Sequence, residues 1–409
     1  MSSRTRATPH VVLNPLALAL GLAFLGCAQA QESPWYIGVS QAFTHDSNLF
    51  VARKGDEKSD TVSSTGILGG LDLEFGRQHV FADITANTNR YKKYDQLDNS
   101  SYSLNTGLNW QTVEHLSGSF GLIGRRDLGQ LAIPGAPEVK NTESLRQATA
   151  RVRYGFASRL GVQAGVQERK LDYSFSTERN FEERSANVGL TWGTPGSVLT
   201  FGVAGRAAKG DAPLYRALLD PQFPFLGYGP VTPDEYDRND VDFTAVWTPS
   251  ALSTVNARIS LTRERHTAIT RPDFSGVTGG VTWEYKPSDK LKLQASLERD
   301  TGSQTIFSTS LLSNFLPVEA NTSRVNTVLG LKAAYELTAK IGLTAAMAYN
   351  RGDVSADSGS TVGQSSSKYE FGARYQPTRT ISLGCNVAHD SYRSLKHTIS
   401  GCSAQFVLR

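Results

Sequence analysis

The stretch EYKPSDKLKLQASLE, Glu284 to Glu298, decides the fold. Beyond the polar turn, Leu291, Leu293, Ala295 and Leu297 fall on one face, and Lys292, Gln294, Ser296 and Glu298 fall on the other. A period of two is that of a β-strand. Tyr285 stands just before the turn, and the same construction recurs along the chain. Short turns follow Phe75, Trp110, Tyr154, Trp192, Trp247, Tyr285, Tyr335 and Tyr375. Between successive short turns lie two strands and a longer polar connection, such as VARKGDEKSD (51–60) or LAIPGAPEVKN (131–141), and the two kinds of connection alternate without a break.

This pattern gives about eighteen strands with both termini on the short-turn side. We expect an all-β, transmembrane antiparallel up-and-down β-barrel with short periplasmic turns and long extracellular loops, the architecture of the bacterial outer membrane. The pre-turn aromatics then form the periplasmic girdle, because indole and phenol rings pair an apolar body with a polar tip. A soluble all-β protein also alternates and turns, but it has no reason to sort loop lengths by parity or to set an aromatic before every second turn. Lipid cannot satisfy backbone polar groups, so a spanning sheet must close on itself, and closure imposes both regularities.

The chain has 409 residues and a mean hydropathy of −0.30. Its first thirty residues carry Arg4 and Arg6, an apolar run from Val11 to Leu25, and Ala28-Gln29-Ala30. They read as a secretory signal peptide, residues 1–30, leaving 31–409 for the barrel. Cleavage after Ala30 competes with lipoprotein processing at Cys27, which FLGC permits. Only QESP separates the signal from Trp35, so no plug or periplasmic module is expected before the first strand. No later apolar run approaches the ~20 residues of a membrane helix. A net charge of +4 is too balanced for nucleic acid.

Alternation assigns faces. Val255, Ala257, Ile259 and Leu261 are expected toward lipid, with Asn256, Arg258, Ser260 and Thr262 toward the lumen. The inward register holds Arg125, Arg151, Arg153, Arg169, Arg206, Arg258, Lys292, Lys332, Lys368 and Arg374, and also Asp72, Glu74, Asp83, Glu183, Asp242, Glu264, Glu284, Glu298 and Glu370. The two signs nearly balance. That argues for a neutral or mixed-charge solute, or for charges that pair across the wall.

No GxSxG, P-loop, HExxH or CxxC pattern is present, so neither an enzyme nor a cofactor or metal is expected. His45-Asp46, His266 and His389-Asp390 read as solvated loop residues, since adjacent strand residues point to opposite faces. The longest connection, Gly210 to Tyr236, is unusually apolar at Phe223, Phe225, Leu226 and Tyr228. It reads either as a constriction folded into the mouth or as a rigid cap. VSADSGSTVGQSSSK (354–368) reads as a flexible outer loop.

Two cysteines remain in the mature chain. A turn centred near Arg393 and Ser394 sets Cys385 opposite Cys402, Leu383 opposite Ala404 and Ile381 opposite Phe406, all on the lipid side. Directly opposed positions bring a disulfide within reach, the alternative being two thiols packed against acyl chains.

FTHDSNLF (43–50), then SDTVSSTGILGGLDLEFGRQ (59–78) and NRYKKYDQLDNSSYSLNTGLNW (89–110), resemble the EpsL-type proteins of exopolysaccharide biosynthesis clusters, within a broader class of β-barrel porins. The matching positions are Asp46, Asn48, Leu49 and Phe50; Ser59, Asp60 and Thr61; Gly76 to Gln78; and Leu97, Asp98, Asn99 and Tyr102. The motifs cover chiefly the first third of the chain. The chain departs from the usual outer-membrane ending, with Phe406 inset and Arg409 last. The resemblance implies a role in moving or organising exopolysaccharide at the outer membrane, either as a wide polar lumen that polymer crosses passively or as a structural anchor, with outer-membrane lipids, polysaccharide and periplasmic and inner-membrane export proteins as partners. The runner-up is a general or sugar-selective diffusion porin, and the third reading is a rim-active enzyme.

Overall fold

The computed structural model describes residues 33–50, 52, 54–129, 139–155, 159–177, 180–193, 196–215, 232–268, 273–301, 323–355, 361–392 and 395–409. The segment expected as a signal peptide, with Cys27, the expected Arg393-Ser394 turn, and Phe223, Phe225, Leu226 and Tyr228 lie outside them.

The strands are β1 (Trp35–Asp46), β2 (Asp60–Phe75), β3 (Gln78–Tyr91), β4 (Asn99–Gln111), β5 (Leu116–Leu128) and β6 (Thr142–Tyr154). They continue as β7 (Leu160–Tyr173), β8 (Phe181–Trp192), β9 (Leu199–Tyr215), β10 (Thr232–Ser250), β11 (Ser253–His266) and β12 (Phe274–Ser288). The last six are β13 (Leu291–Thr301), β14 (Ser323–Thr338), β15 (Ile341–Ser355), β16 (Thr361–Tyr375), β17 (Ile381–Tyr392) and β18 (Leu395–Leu408). Each strand pairs antiparallel with the next, and β18 returns to β1 with Ile37 opposite Leu408 and Asp46 opposite Ile399. The eighteen strands form one closed sheet with no free edge. Closure lets the backbone polar groups of the spanning strands bond within the sheet, as hydrocarbon demands.

The faces follow the alternation. Ile259 and Leu261 are exposed outward while Ser260 and Thr262 between them are buried inward. Large apolar side chains facing out on nearly every strand make the band that meets lipid, and in bacteria such barrels occupy the outer membrane. At the short-turn rim Phe75, Tyr154, Trp192, Trp247, Tyr335 and Tyr375 are all exposed, and Trp110 and Tyr285 are half-buried in the same ring. Trp35 and Phe406 extend this ring across the closing strands. Gly76 makes the tight β2–β3 turn at φ +62°, a left-handed value that side chains with a Cβ resist.

The ladder outruns the apolar pattern at the outer end. β9 continues to Tyr215 and β10 begins at Thr232, so the connection expected from Gly210 to Tyr236 shortens to residues 216–231. β15 and β16 likewise extend to Ser355 and from Thr361 into the stretch expected as a flexible loop. Above the bilayer a strand keeps its hydrogen bonds but no longer needs apolar outward residues, so the alternation signal stops before the strand does.

The main buried apolar cluster lies inside the barrel, where Leu145, Leu171, Tyr173, Phe181 and Tyr236 meet on β6, β7, β8 and β10. Some inward aromatics lie flat on glycines of the neighbouring strand. A Cβ on Gly70 would run into the Tyr36 ring, and one on Gly210 into Tyr236. These rings stay against the wall and leave the axis to other groups.

Candidate functional site

The lumen has two unlike walls. From β9 to β13 its outer half is lined by an ion-paired network. Arg238 on β10 is fully buried, with its Nε 2.9 Å from Asp240 and its Nη1 2.8 Å from Asp300 on β13. The same Nη1 donates to the Thr301 hydroxyl at 2.9 Å and stands 3.6 Å from Glu264. Arg206 supports Asp240 at 2.9 Å and approaches Asp242 at 3.6 Å. Arg258 holds the other oxygen of Asp300 at 3.1 Å and donates to Ser260 at 2.8 Å. Thr262 donates to Asp240, and Ser260 to Asp242. Three guanidinium groups therefore share four carboxylates, and the arrangement continues outward through His266, whose ring nitrogens face Asp234 at 2.9 Å and Glu264 at 3.1 Å.

On β5 to β8, Arg125 pairs with Glu143 at 3.0 Å and Arg169 with Glu183, which also accepts from the Tyr236 hydroxyl. Arg374 pairs with Glu336 at 3.2 Å on the far side. Among the described residues no carboxylate lies within ion-pair reach of Arg151, Arg153, Lys292 or Lys332, and Arg153 donates instead to Thr191 at 3.2 Å. The structure thus places Arg125, Arg151, Arg153, Arg169, Arg206, Arg258, Lys292, Glu298, Lys332 and Arg374 on the inward register, each opposite an inward partner. It pairs only some of them.

Among the described residues, the wall from β1 to β4 carries one charged group at mid-height, Asp83, which accepts from the Tyr36 hydroxyl at 2.7 Å, among uncharged neighbours. Ser64 donates to Asn89, and Asn89 donates to Asn99 at 2.9 Å and to Ser101 at 3.1 Å. Asn87, Ser103 and Asn105 share this register. Asn89 and Asn99 are buried in this set, and Ser103, exposed, with Asn87 and Asn105, half-buried, offers donors and acceptors without net charge.

Sequence reasoning did not name Arg238, Asp240 and Asp300, the centre of the network, among the inward charges: they lie near the outer strand ends, Arg238 and Asp240 just past the connection expected from Gly210 to Tyr236. The signal was present: DEYDRNDVD continues the inward register of Asp242 through Asp240, Arg238, Tyr236 and Asp234. The reading of His266 and His389-Asp390 as solvated loop residues is also corrected. His266 has a side chain only 3% exposed. Asp390 is buried, and His389 bonds Thr398 at 2.9 Å. Asp46 and Asp390, inward on separate strands, both face His397, at 2.7 and 3.9 Å from its two ring nitrogens. Both ring nitrogens of His266 are held by carboxylates, so it presents neither to a hydroxyl nucleophile.

The motif residues of the first third converge on loop anchoring. Asp46 accepts from the Asn48 backbone at 2.8 Å, and the Asn48 amide reaches Ala52 and, across the seam, Lys396. Asp60 accepts from the backbone of Lys93 and Tyr94, each at 3.1 Å, and Phe50 meets the Tyr94 ring edge-on at 5.1 Å. Asp98 accepts from the Tyr91 backbone at 2.7 Å. Together they tie the β1–β2 and β3–β4 connections to each other at the outer rim. At the opposite rim Arg77 and Gln78 donate to the carbonyls of Thr112 and Gln111, clamping the next turn.

Cys385 and Cys402 stand opposite one another with Cα atoms 4.0 Å apart and are joined as a disulfide on the outward face. The same register pairs Leu383 with Ala404 and Ile381 with Phe406.

No protein-family model matches the sequence, and no curated protein matches it. Similar solved structures include the outer membrane protein OpdK of Pseudomonas aeruginosa, at 10% identity over 91% of this chain and 98% of that one, with a TM-score of 0.46. OccK11 (OpdR) of the same organism is 12% identical over 91% of this chain and 96% of its own, TM-score 0.44. OccK2 (OpdF) from Pseudomonas aeruginosa, solved in complex with glucuronate, is 11% identical over 92% and 97%, TM-score 0.46.

Proposed function

We propose that this barrel is a passive diffusion porin for small polar solutes of little net charge, sugars foremost. The observation that carries the reading is the burial of inward side chains in the outer half of the lumen. Leu145, Leu171 and Arg238 are each 0% exposed although they point away from lipid. Packed over one another and over the ion-paired network, these groups thicken the wall inward and narrow the passage there. The network's four carboxylates exceed its three arginines by one, while cations such as Arg151 and Lys292 face the lumen elsewhere, so the wall as a whole carries both signs, and the β1–β4 wall offers hydroxyl and amide groups suited to exchanging bonds with sugar hydroxyls. Weak, replaceable contacts of that kind let a solute enter and leave.

Purified protein in vesicles tests this by swelling rates with neutral sugars of increasing mass. Rapid entry of mono- and disaccharides with a sharp fall for longer oligosaccharides is the expected result. Equal entry of long oligomers would overturn it.

The second reading is a role in exopolysaccharide export, favoured by the ordered motifs from Asp46 to Tyr102. Their contacts hold loops together, which accounts for those residue types whether or not a polymer passes. Deletion of the gene separates the two readings. Loss of secreted polymer with unchanged sugar uptake favours export, and slowed sugar uptake with normal polymer favours the porin.

A further inference from the structure

Outward-facing arginines form a belt just above the apolar band. Arg126 on β5 lies ten residues from Leu116, and Arg263 on β11 ten from Ser253. Arg90 on β3 lies twelve from Gln78, Arg146 on β6 eight before Tyr154, and Arg299 on β13 eight beyond Leu291. A tilted strand crosses the hydrocarbon in ~9–11 residues. Arg90, Arg126 and Arg263 therefore stand at the level of the outer-leaflet headgroups, and Arg146 and Arg299, about one pleat lower, reach it with their long side chains. All five are exposed. A cationic side chain at mid-bilayer costs about 2–4 kcal/mol but about 0–1 near the interface, which fits their absence from the band below.

The belt is one-signed where it is unbridged. On β7 to β10 the outward cations have carboxylate neighbours, as in Arg184 with Glu168 and Glu182 and Lys209 with Asp237. On β3 to β6 and on β11 to β13 the outward strand positions hold no acid; Glu143, Glu264 and Asp300 point inward. Arg146 stands directly opposite Gly124 on one side and, on the other, Lys170, which is itself ion-paired with Asp172 at 3.7 Å and Glu182 at 3.8 Å; Arg126 is two positions beyond Gly124. Gly124 beside Arg146, with Ala148 and Ala150 below it, leaves the outer wall low next to Leu122 and Phe120.

We propose that Arg126 and Arg146 seat a phosphate of a phosphorylated glycolipid of the outer leaflet, with an acyl chain lying along Gly124, Ala148 and Ala150. Arg90, Arg263 and Arg299 mark weaker positions in the same belt. Arginine suits this task because its planar fork donates two parallel bonds to a phosphate. The seat is independent of what passes through the lumen.

The test uses full-length protein purified in mild detergent, titrated with bisphosphorylated lipid A or with the same lipid stripped of its phosphates, and read by native mass spectrometry. Wild type is expected to bind the phosphorylated lipid about tenfold more tightly. The double variant Arg126→Gln/Arg146→Gln, checked as folded by heat-modifiable gel migration, is expected to lose most of that preference, and Arg126→Lys/Arg146→Lys to retain part of it. Equal binding of the two lipids by wild type overturns the proposal without any variant. An unchanged preference in the glutamine variant overturns the assignment to these two residues.

Discussion

Arg238→Met is the most informative substitution in the barrel. The side chain is fully buried, and its carboxylate neighbours Asp240, Glu264 and Asp300 are at most 6% exposed. Removing one partner of a buried charge group costs about 3–5 kcal/mol, because the remaining charge is left without compensation. Here Asp240 keeps Arg206 at 2.9 Å and Asp300 keeps Arg258 at 3.1 Å, so the loss belongs at the lower end, about 3 kcal/mol. A control, Arg299→Met, removes an exposed outward arginine and should change stability by under about 0.5 kcal/mol. Urea unfolding of the protein in phospholipid vesicles, followed by the fluorescence of its five tryptophans, measures both. Combining Arg238→Met with Asp300→Asn should cost clearly less than the sum of the two changes, since the second removes a charge that the first left unpaired. Strict additivity, or Arg238→Met within about 0.5 kcal/mol of wild type, would refute the claim that this network braces the outer half of the wall.

Three further outcomes follow from the register and topology. Trp247→Asp should impair insertion into vesicles far more than Thr244→Asp, one facing lipid at the rim and the other facing the lumen; comparable insertion yields would contradict the assigned faces. Mass spectrometry of unreduced, denatured protein should find Cys385 and Cys402 unavailable to alkylation, and reducing the bond should lower stability by up to about 3 kcal/mol for a loop of this length. Two alkylated thiols would rule the bond out. Impermeant label or protease added to intact cells should reach residues 216–231 but not Asp289-Lys290 or 377–379, and labelling of those turns would reverse the orientation.

What the sequence determined is whatever depends on period and position along one strand. Leu291, Leu293, Ala295 and Leu297 show their face by alternation alone, because successive side chains on a pleat must point to opposite sides. The same rule set Arg206 and Arg258 inward, and the closing register opposed Cys385 to Cys402 before any tertiary contact was known. The aromatic before each short turn marks the rim because each ring answers to the membrane interface rather than to a neighbour. The tertiary structure alone decided what meets inside. Arg238 and Asp300 are 62 residues apart and three strands from one another. They touch because the wall curves, and curvature comes from the stagger of all eighteen strands when the sheet closes. His397 lies between Asp46 and Asp390 only because β18 returns to β1. The outer strand ends were hidden for a related reason: above the lipid, pairing persists without the apolar alternation that hydrocarbon enforces.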